Sequence, residues 1–422
     1  MRRTLKSPMR DNRRGFLGKT AGAAAAGAAA TLPKAALAAP AIQAADSVKI
    51  VSALPMTGSS YGQTSTIVNG IRMALEEAQR MAGSFFVEYE AWDDATAAAG
   101  KWDPAKAAEL ANRAAADPNI VVYIGHFNSG AAKISIPVLN AVGLVMISPA
   151  NTYPGLTKPG KGEAGEPDVY YPAGIRNYTR VIPADDLQGA VGAAWAKALN
   201  AQTAYVIDDT ELYGKGIADV FVATAPKVGI RIVGRDGIDG KAADYRAVAT
   251  KIRAANPDVI YYGGITQNNA GKLIKDIRGA GINKHFIGPD GIQEKAFIDD
   301  AGEDAEGVWS TFGGIPPSAY QGEMLAWKQR YHDFAGGEPE PYAVYGYEAA
   351  KVALDAIARA GAKDRNAVRD QVFATQNYTG LLGTWSFDPN GDTTNTTMSV
   401  SRVSRIGGGM DWVLQEIVTA PA

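Results

Sequence analysis

The hydrophobic positions change period repeatedly along the chain. Residues 48–54 form a short apolar run. Residues 66–82 then place Ile67, Ile71, Met73, Ala74, Leu75 and Ala78 near helical spacing. Residues 85–92 return to strand-forming types. Residues 104–117 predict a helix, with Pro104 in its first turn and Asp103 as N-cap. Runs 120–124 and 144–148 are almost wholly apolar, as parallel strands buried on both faces must be. The alternation resumes after Pro183. Helices are predicted at 188–200, 215–228, 244–255 and 269–279. Strands are predicted at 204–207, 230–233, 259–262, 285–287 and 308–312, and Asn256-Pro257 stops the third of these helices. Three helical stretches follow at 320–334, 344–360 and 365–375. A β segment at 383–387 then precedes the turn Asp388-Pro389-Asn390-Gly391. Two βαβ runs in tandem predict two α/β lobes with parallel sheets.

Two places break the rhythm. Residues 154–174 hold nine Gly or Pro in 21 positions and predict a long loop, either functional or a surface insertion. Pro137 falls inside the helix expected after Ser129, which predicts that this helix starts near Ile136.

Residues 1–45 do not read as fold. Arg2, Arg3, Lys6, Arg10, Arg13 and Arg14 precede Gly15-Phe16-Leu17 and an Ala/Gly-rich run, with Ala36-Leu37-Ala38 and Ile42-Gln43-Ala44 as candidate cleavage sites. The pattern is that of a signal peptide, and the Arg13-Arg14 pair resembles the twin-arginine export signal. Its removal leaves 34 basic and 43 acidic groups, a net charge of −9. An acidic exported chain of this size predicts no nucleic-acid partner.

The chain has 422 residues, 46% of them apolar and 20% charged, which suits two globular domains. It has no Cys and three His, so disulfides, thiolate chemistry and Cys-ligated metals are excluded, and no metal or cofactor is expected. No HExxH or phosphate-loop pattern occurs. The paired acids Asp93-Asp94 and Asp208-Asp209 suit solvated strand ends or caps. The segment from Asp388 fails the calcium-loop pattern at Thr393 and Ser399 and reads as a turn. No catalytic residue is assigned. His126 beside Ser129 is the single hint of a secreted α/β hydrolase, although a structural His suits a position just past a buried strand better.

Ligands of open α/β sheets bind beyond the C-terminal ends of the strands. The loops there are small and polar: 57–62, 125–130, 149–153, 208–213, 263–265 and 288–291. One set offers hydroxyls and amides, and another offers Asp290. Such polarity suits a solute with a carboxylate at one end and an ammonium at the other.

These residues also resemble a known family. Tyr123-Ile124-Gly125-His126, Met146-Ile147-Ser148-Pro149-Ala150-Asn151-Thr152, Tyr213-Gly214-Lys215-Gly216, Tyr261-Tyr262-Gly263-Gly264 and Gly288-Pro289-Asp290-Gly291 stand in the order seen in bacterial periplasmic leucine/isoleucine/valine-binding proteins. The resemblance spans residues 48–391. It implies the type I periplasmic-binding-protein fold and the role of solute receptor for an ATP-driven (ABC) importer. It further implies a monomer in the periplasm, a membrane permease as partner and an amino acid as ligand. Ser129 and Thr152 match the family's carboxylate donors, and Ala150 the carbonyl that meets the ammonium. Tyr61 and Tyr213 match its cleft tyrosines, and Asp290 its ammonium-binding acid, usually Glu. Ile265 stands where the family commonly has Tyr, and the family's first-lobe disulfide is absent. Each residue has a plainer reading: Ser129 and Thr152 as helix caps, Tyr61 and Tyr213 as core-edge aromatics, Asp290 as a turn acid. Lobe one is expected at 46–182 and 315–382, lobe two at 183–314 and 383–415, with three crossovers and closure of the cleft over the solute. A receptor on the same fold for an amide, urea or aromatic acid is the alternative ligand class.

Overall fold

The structure, a computed structural model, describes residues 46–419. The first half of the chain builds β1 (Ser47–Leu54), α1 (Tyr61–Glu77), β2 (Met81–Ala82), β3 (Phe85–Asp93), α2 (Pro104–Ala116), β4 (Ile120–Gly125), α3 (Ser129–Asn140), β5 (Val145–Ser148) and β6 (Tyr178–Arg180). Then come α4 (Asp185–Ala198), β7 (Thr203–Asp208), α5 (Leu212–Thr224), β8 (Arg231–Gly237), α6 (Arg246–Ala255), β9 (Val259–Gly263), α7 (Ala270–Gly279), β10 (His285–Gly288), α8 (Lys295–Ala301) and β11 (Trp309–Phe312). The chain ends with α9 (Gly322–Ala335), α10 (Ala343–Ala360), α11 (Arg365–Phe373), β12 (Tyr378–Gly380), β13 (Gly383–Trp385), β14 (Thr397–Ile406) and β15 (Gly409–Thr419).

These strands make two doubly wound sheets, as the alternation predicts. The first runs β2-β3-β1-β4-β5-β6, parallel except at β2. The second runs β15-β14-β11-β10-β9-β7-β8, parallel from β11 to β8. Every residue of β4, β5 and β9 is buried, which is why those runs are apolar throughout. Register levels the strand ends that carry the polar loops. Ala53 pairs with Gly125, and Asp208 with Gly263.

Helix α10 returns from the end of the chain to pack on α1 within the first lobe's core. The contact is close because two glycines face it: a Cβ on Gly70 would stand 2.3 Å from the Ala343 carbonyl oxygen, and one on Gly346 2.5 Å from that of Ile67. This docking delivers Tyr342, just before α10, to the gap between the sheets.

A buried ion pair ties the chain where it passes between lobes. Arg180 is fully buried, and its Nε donates to Asp392 Oδ1 at 2.6 Å. Its Nη1 donates to the carbonyls of Asn151 at 3.2 Å and Tyr153 at 2.9 Å. The guanidinium thus finds partners in the loop after β5 and near the last crossover, offsetting its desolvation.

Several expectations are corrected. Helix α3 starts at Ser129 and carries Pro137 inside it rather than in its first turn. Pro there forfeits one backbone bond, but Ala131, Ala132, Ser135, Ile136 and Leu139 bury the helix face, and that burial outweighs the loss. The strand pair β14–β15 was not anticipated. Its Gly407-Gly408 turn takes left-handed φ values of 58° and 90° at residues with no Cβ to obstruct them. Trp385 and Phe387 pack into the core around β1 and α10, beyond the expected end of lobe one at 382. Asp94 is no solvated strand-end acid; it is fully buried against His126. Residues 154–174 fold around Glu166, which accepts from Tyr153 Oη at 2.7 Å, from the Glu163 N–H at 2.8 Å and from Tyr170. The export-signal reading concerns residues 1–45, outside the described residues.

Candidate solute site between the lobes

The loops after β4 and β5 face those after β7, β9 and β10 across the gap between the two sheets. A cavity of about 430 Å³ lies there, lined by Phe127, Asn128, Ser129, Gly130, Ala150, Thr152, Asp209, Glu211, Tyr213, Ile265, Asp290, Gly291 and Tyr342.

The first-lobe wall is a rigid cradle of donors. Ser129 is the first residue of α3; the Ala131 and Ala132 N–H groups donate to the Asn128 carbonyl at 3.1 and 3.3 Å, which leaves those of Ser129 and Gly130, both lining the cavity, as the open donors of the helix start. Ser148 Oγ accepts from the N–H of Ala150 at 3.2 Å and of Asn151 at 2.8 Å, holding the turn that carries Ala150 and Thr152. Asn151 Nδ2 donates to the Phe127 carbonyl at 2.9 Å, locking that turn to the loop before Ser129. Ser129 and Thr152 are both nearly fully buried. The first-lobe residues that line the cavity include no acid, although Asp185 of α4 lies directly behind Thr152 and donates its N–H to the Thr152 carbonyl at 2.8 Å.

The second-lobe wall carries the acids Asp209, Glu211 and Asp290; Glu211 is paired with Lys101, and Asp209 accepts from Asn268 Nδ2. Asp290 is 1% exposed. Its Oδ1 accepts from Gln188 Nε2 at 2.9 Å and Tyr213 Oη at 2.5 Å, and its Oδ2 from Tyr342 Oη. All three donors are neutral. Burial holds its pKa above the usual carboxylate range despite these bonds. Asp185, fully buried at the start of α4, is pushed well up by burial and then by the nearby charge of Asp290. Tyr213 also accepts from the Gly291 N–H at 3.2 Å, so the turn after β10 and the start of α5 are fixed together. Ile265 supplies an apolar side wall, and Phe127 meets Tyr342 edge to face at 5.5 Å.

Six of the seven residues picked from the sequence meet at this cavity: Ser129, Ala150, Thr152, Tyr213, Ile265 and Asp290. Tyr61 does not. It opens α1, where the helix start leaves its ring 54% exposed and outside the cavity lining. Sequence reasoning missed Tyr342, Gln188, Phe127, Asp209 and Glu211. The last three lie in strand-end loops already marked as polar and small. Tyr342 and Gln188 come from helix starts, where a search past strand ends does not look.

His126 turns away from Ser129. Its Nδ1 stands 2.5 Å from Asp94 Oδ2 and its Nε2 2.8 Å from Ser135 Oγ. All three residues are fully buried, so this acid–His–Ser series is sealed inside the first lobe and does not reach the cavity. Among the described residues no cluster of His, Asp or Glu is arranged to hold a metal ion.

Comparison with known proteins places the molecule. The periplasmic binding protein family matches residues 47–409. An amino acid binding protein of Pseudomonas aeruginosa is 31% identical over 266 residues, 62% of this chain and 66% of that one. The leucine-, isoleucine-, valine-, threonine-, and alanine-binding protein of the same organism is 27% identical over 85% of this chain and 90% of its own. Among solved structures, a leucine binding protein from Thermotoga maritima superposes with a TM-score of 0.76 at 27% identity, covering 88% of this chain and 99% of that one. A solute binding protein of an R. palustris ABC transporter, in complex with 4-hydroxybenzoate, also reaches a TM-score of 0.76, at 16% identity over 89% of this chain and 98% of its own. The chain belongs to the periplasmic binding protein family and has the type I fold of its leucine/isoleucine/valine-binding members.

Proposed function

We propose that the protein is the exported receptor of an ABC importer and that it binds an amino acid with an apolar side chain between its lobes. The observation that carries this reading is Asp290: a buried carboxylate at the cavity whose side-chain donors are all neutral, opposite a wall of Ser129, Thr152 and the α3 N-terminus. An α-ammonium supplies the missing positive charge. The α-carboxylate then takes the hydroxyls and the N–H groups of α3, where the helix dipole favours it. The Ala150 carbonyl accepts a second ammonium hydrogen. Phe127 and Ile265 face the apolar side chain. Each charge-assisted bond contributes about 1.5–3 kcal/mol.

The lobes hinge about the crossovers. Solute first meets the donor wall. Closure then brings Tyr213 and Asp290 over it and expels water, and only differential affinity for the closed form drives that step. The closed monomer docks on a membrane permease in the periplasm. The amino-acid-binding relatives support this solute class.

A second reading, an aromatic carboxylic acid, has one observation in its favour. Phe127 and Tyr342 present an aromatic corner to the cavity, and same-fold neighbours hold benzoates. A ring hydroxyl would then donate to Asp290. A thermal-shift screen of the twenty amino acids beside benzoate and 4-hydroxybenzoate tests both. A ligand at 100 times its Kd stabilises by about 2.7 kcal/mol. Shifts confined to apolar amino acids are expected; shifts confined to the benzoates overturn the proposal.

A further inference from the structure

The loop between β3 and α2 is built as a closed strap. Ala95 and Trp102 bridge across it, the Asp103 N–H donates to the Asp94 carbonyl at 2.9 Å, and the Gly100 N–H donates to the Thr96 carbonyl at 2.9 Å. It is pinned to the first lobe on two sides. A Cβ on Gly58 would stand 2.0 Å from the Gly100 carbonyl oxygen. Trp102 lies over Gly130, where a Cβ would stand 2.7 Å from the indole ring. The strap therefore rests on the first turn of α3, beside the cavity.

From this fixed base one side chain crosses to the other lobe. Lys101 Nζ stands 2.5 Å from Glu211 Oε1 and 2.8 Å from Asn268 Oδ1. Asn268 Nδ2 in turn donates to Asp209 Oδ2 at 2.7 Å, and that same oxygen takes the Ile265 N–H at 3.2 Å. The strap thus grips the network that shapes the second-lobe wall. The ion pair is about three-quarters covered, with Lys101 23% and Glu211 26% exposed, so it keeps more of its attraction than a pair on an open surface. None of its members requires a solute to be present.

We propose that residues 94–103 form a clasp that holds the lobes together before any solute arrives, with Lys101 as a positioning residue for binding. The inference rests on the hinge-closing reading above. When only a fraction of the receptor is binding-competent, the apparent Kd rises by the inverse of that fraction. A clasp that populates the closed form therefore tightens binding without touching the solute.

The chain has no Cys, so Ala105→Cys in α2 and Ala254→Cys in α6, both exposed, give two unique spin-label sites, one per lobe. Double electron–electron resonance then reads the interlobe distance without ligand and with leucine. Lys101→Met is expected to move the ligand-free distribution to longer distances and to raise the Kd for leucine about 2–5-fold, the range of a partly exposed ion pair. Lys101→Arg is expected to restore both. A ligand-free distribution unchanged in Lys101→Met overturns the clasp, whatever happens to the Kd. If leucine still shortens the distance in that case, the closing reading survives. If neither leucine nor Lys101→Met moves it, both fall.

Discussion

Replacing Asp290 with Asn removes one charge and almost no volume. In the wild type the carboxylate sits 1% exposed between Gln188, Tyr213 and Tyr342, all of which donate to it. The amide oxygen can still accept, but the amide nitrogen turns a donor toward a donor. An incoming ammonium then meets a neutral group, inside a site where water cannot take over. Truncating one partner of a buried charge pair costs about 2–5 kcal/mol. At 1.4 kcal/mol per tenfold, the Kd for the amino acid should rise about 30- to 4,000-fold. The ligand-free protein should not suffer in parallel, because burial of an uncompensated carboxylate is itself unfavourable. Calorimetric titration of both proteins, with thermal melts of the ligand-free forms, separates the two effects. A variant that melts like the wild type yet binds within threefold of it would refute the reasoning.

Other outcomes follow from the same geometry. Ser129→Ala should raise the Kd about 10- to 150-fold by removing a charge-assisted bond, with little change in melting temperature. Binding should weaken as pH falls through the raised pKa of ligand-free Asp290, since the ammonium favours the ionised form. On the acid side, titrations in buffers of different ionisation enthalpy should therefore show net proton release on binding. Burial pushes Glu294 up to about 8, above the roughly 4.3 of an unfolded Glu, so its effect on folding is most favourable at low pH and declines as pH rises across that window. Glu294→Gln should flatten that decline, read as melting temperature against pH.

Much of the fold was legible because parallel strands and amphipathic helices write different periods. The runs at β4, β5 and β9 are apolar end to end because both faces are covered. Strand β6, three residues of mixed polarity ending in a buried Arg, carries no such mark. The site was legible where strands deliver it: Ser129, Thr152, Ile265 and Asp290 all stand just past strand ends. Tyr342 was not, because its place depends on α10 docking against α1, a contact between residues far apart in sequence. Pro137 misled because a local rule about proline was overruled by burial of the rest of the helix face. Asp94 misled because sequence gives no sign that His126 waits for it inside the lobe.

The central claim is that one buried acid recognises an ammonium. The most direct measurement compares leucine with 4-methylpentanoic acid, the same skeleton and carboxylate without the amine, by calorimetric titration at neutral pH. Leucine should bind, and the deaminated acid should bind at least about 30-fold more weakly, the lower bound for losing one partner of a buried charge pair. Equal affinity for the two, or tighter binding of the acid, would contradict the account.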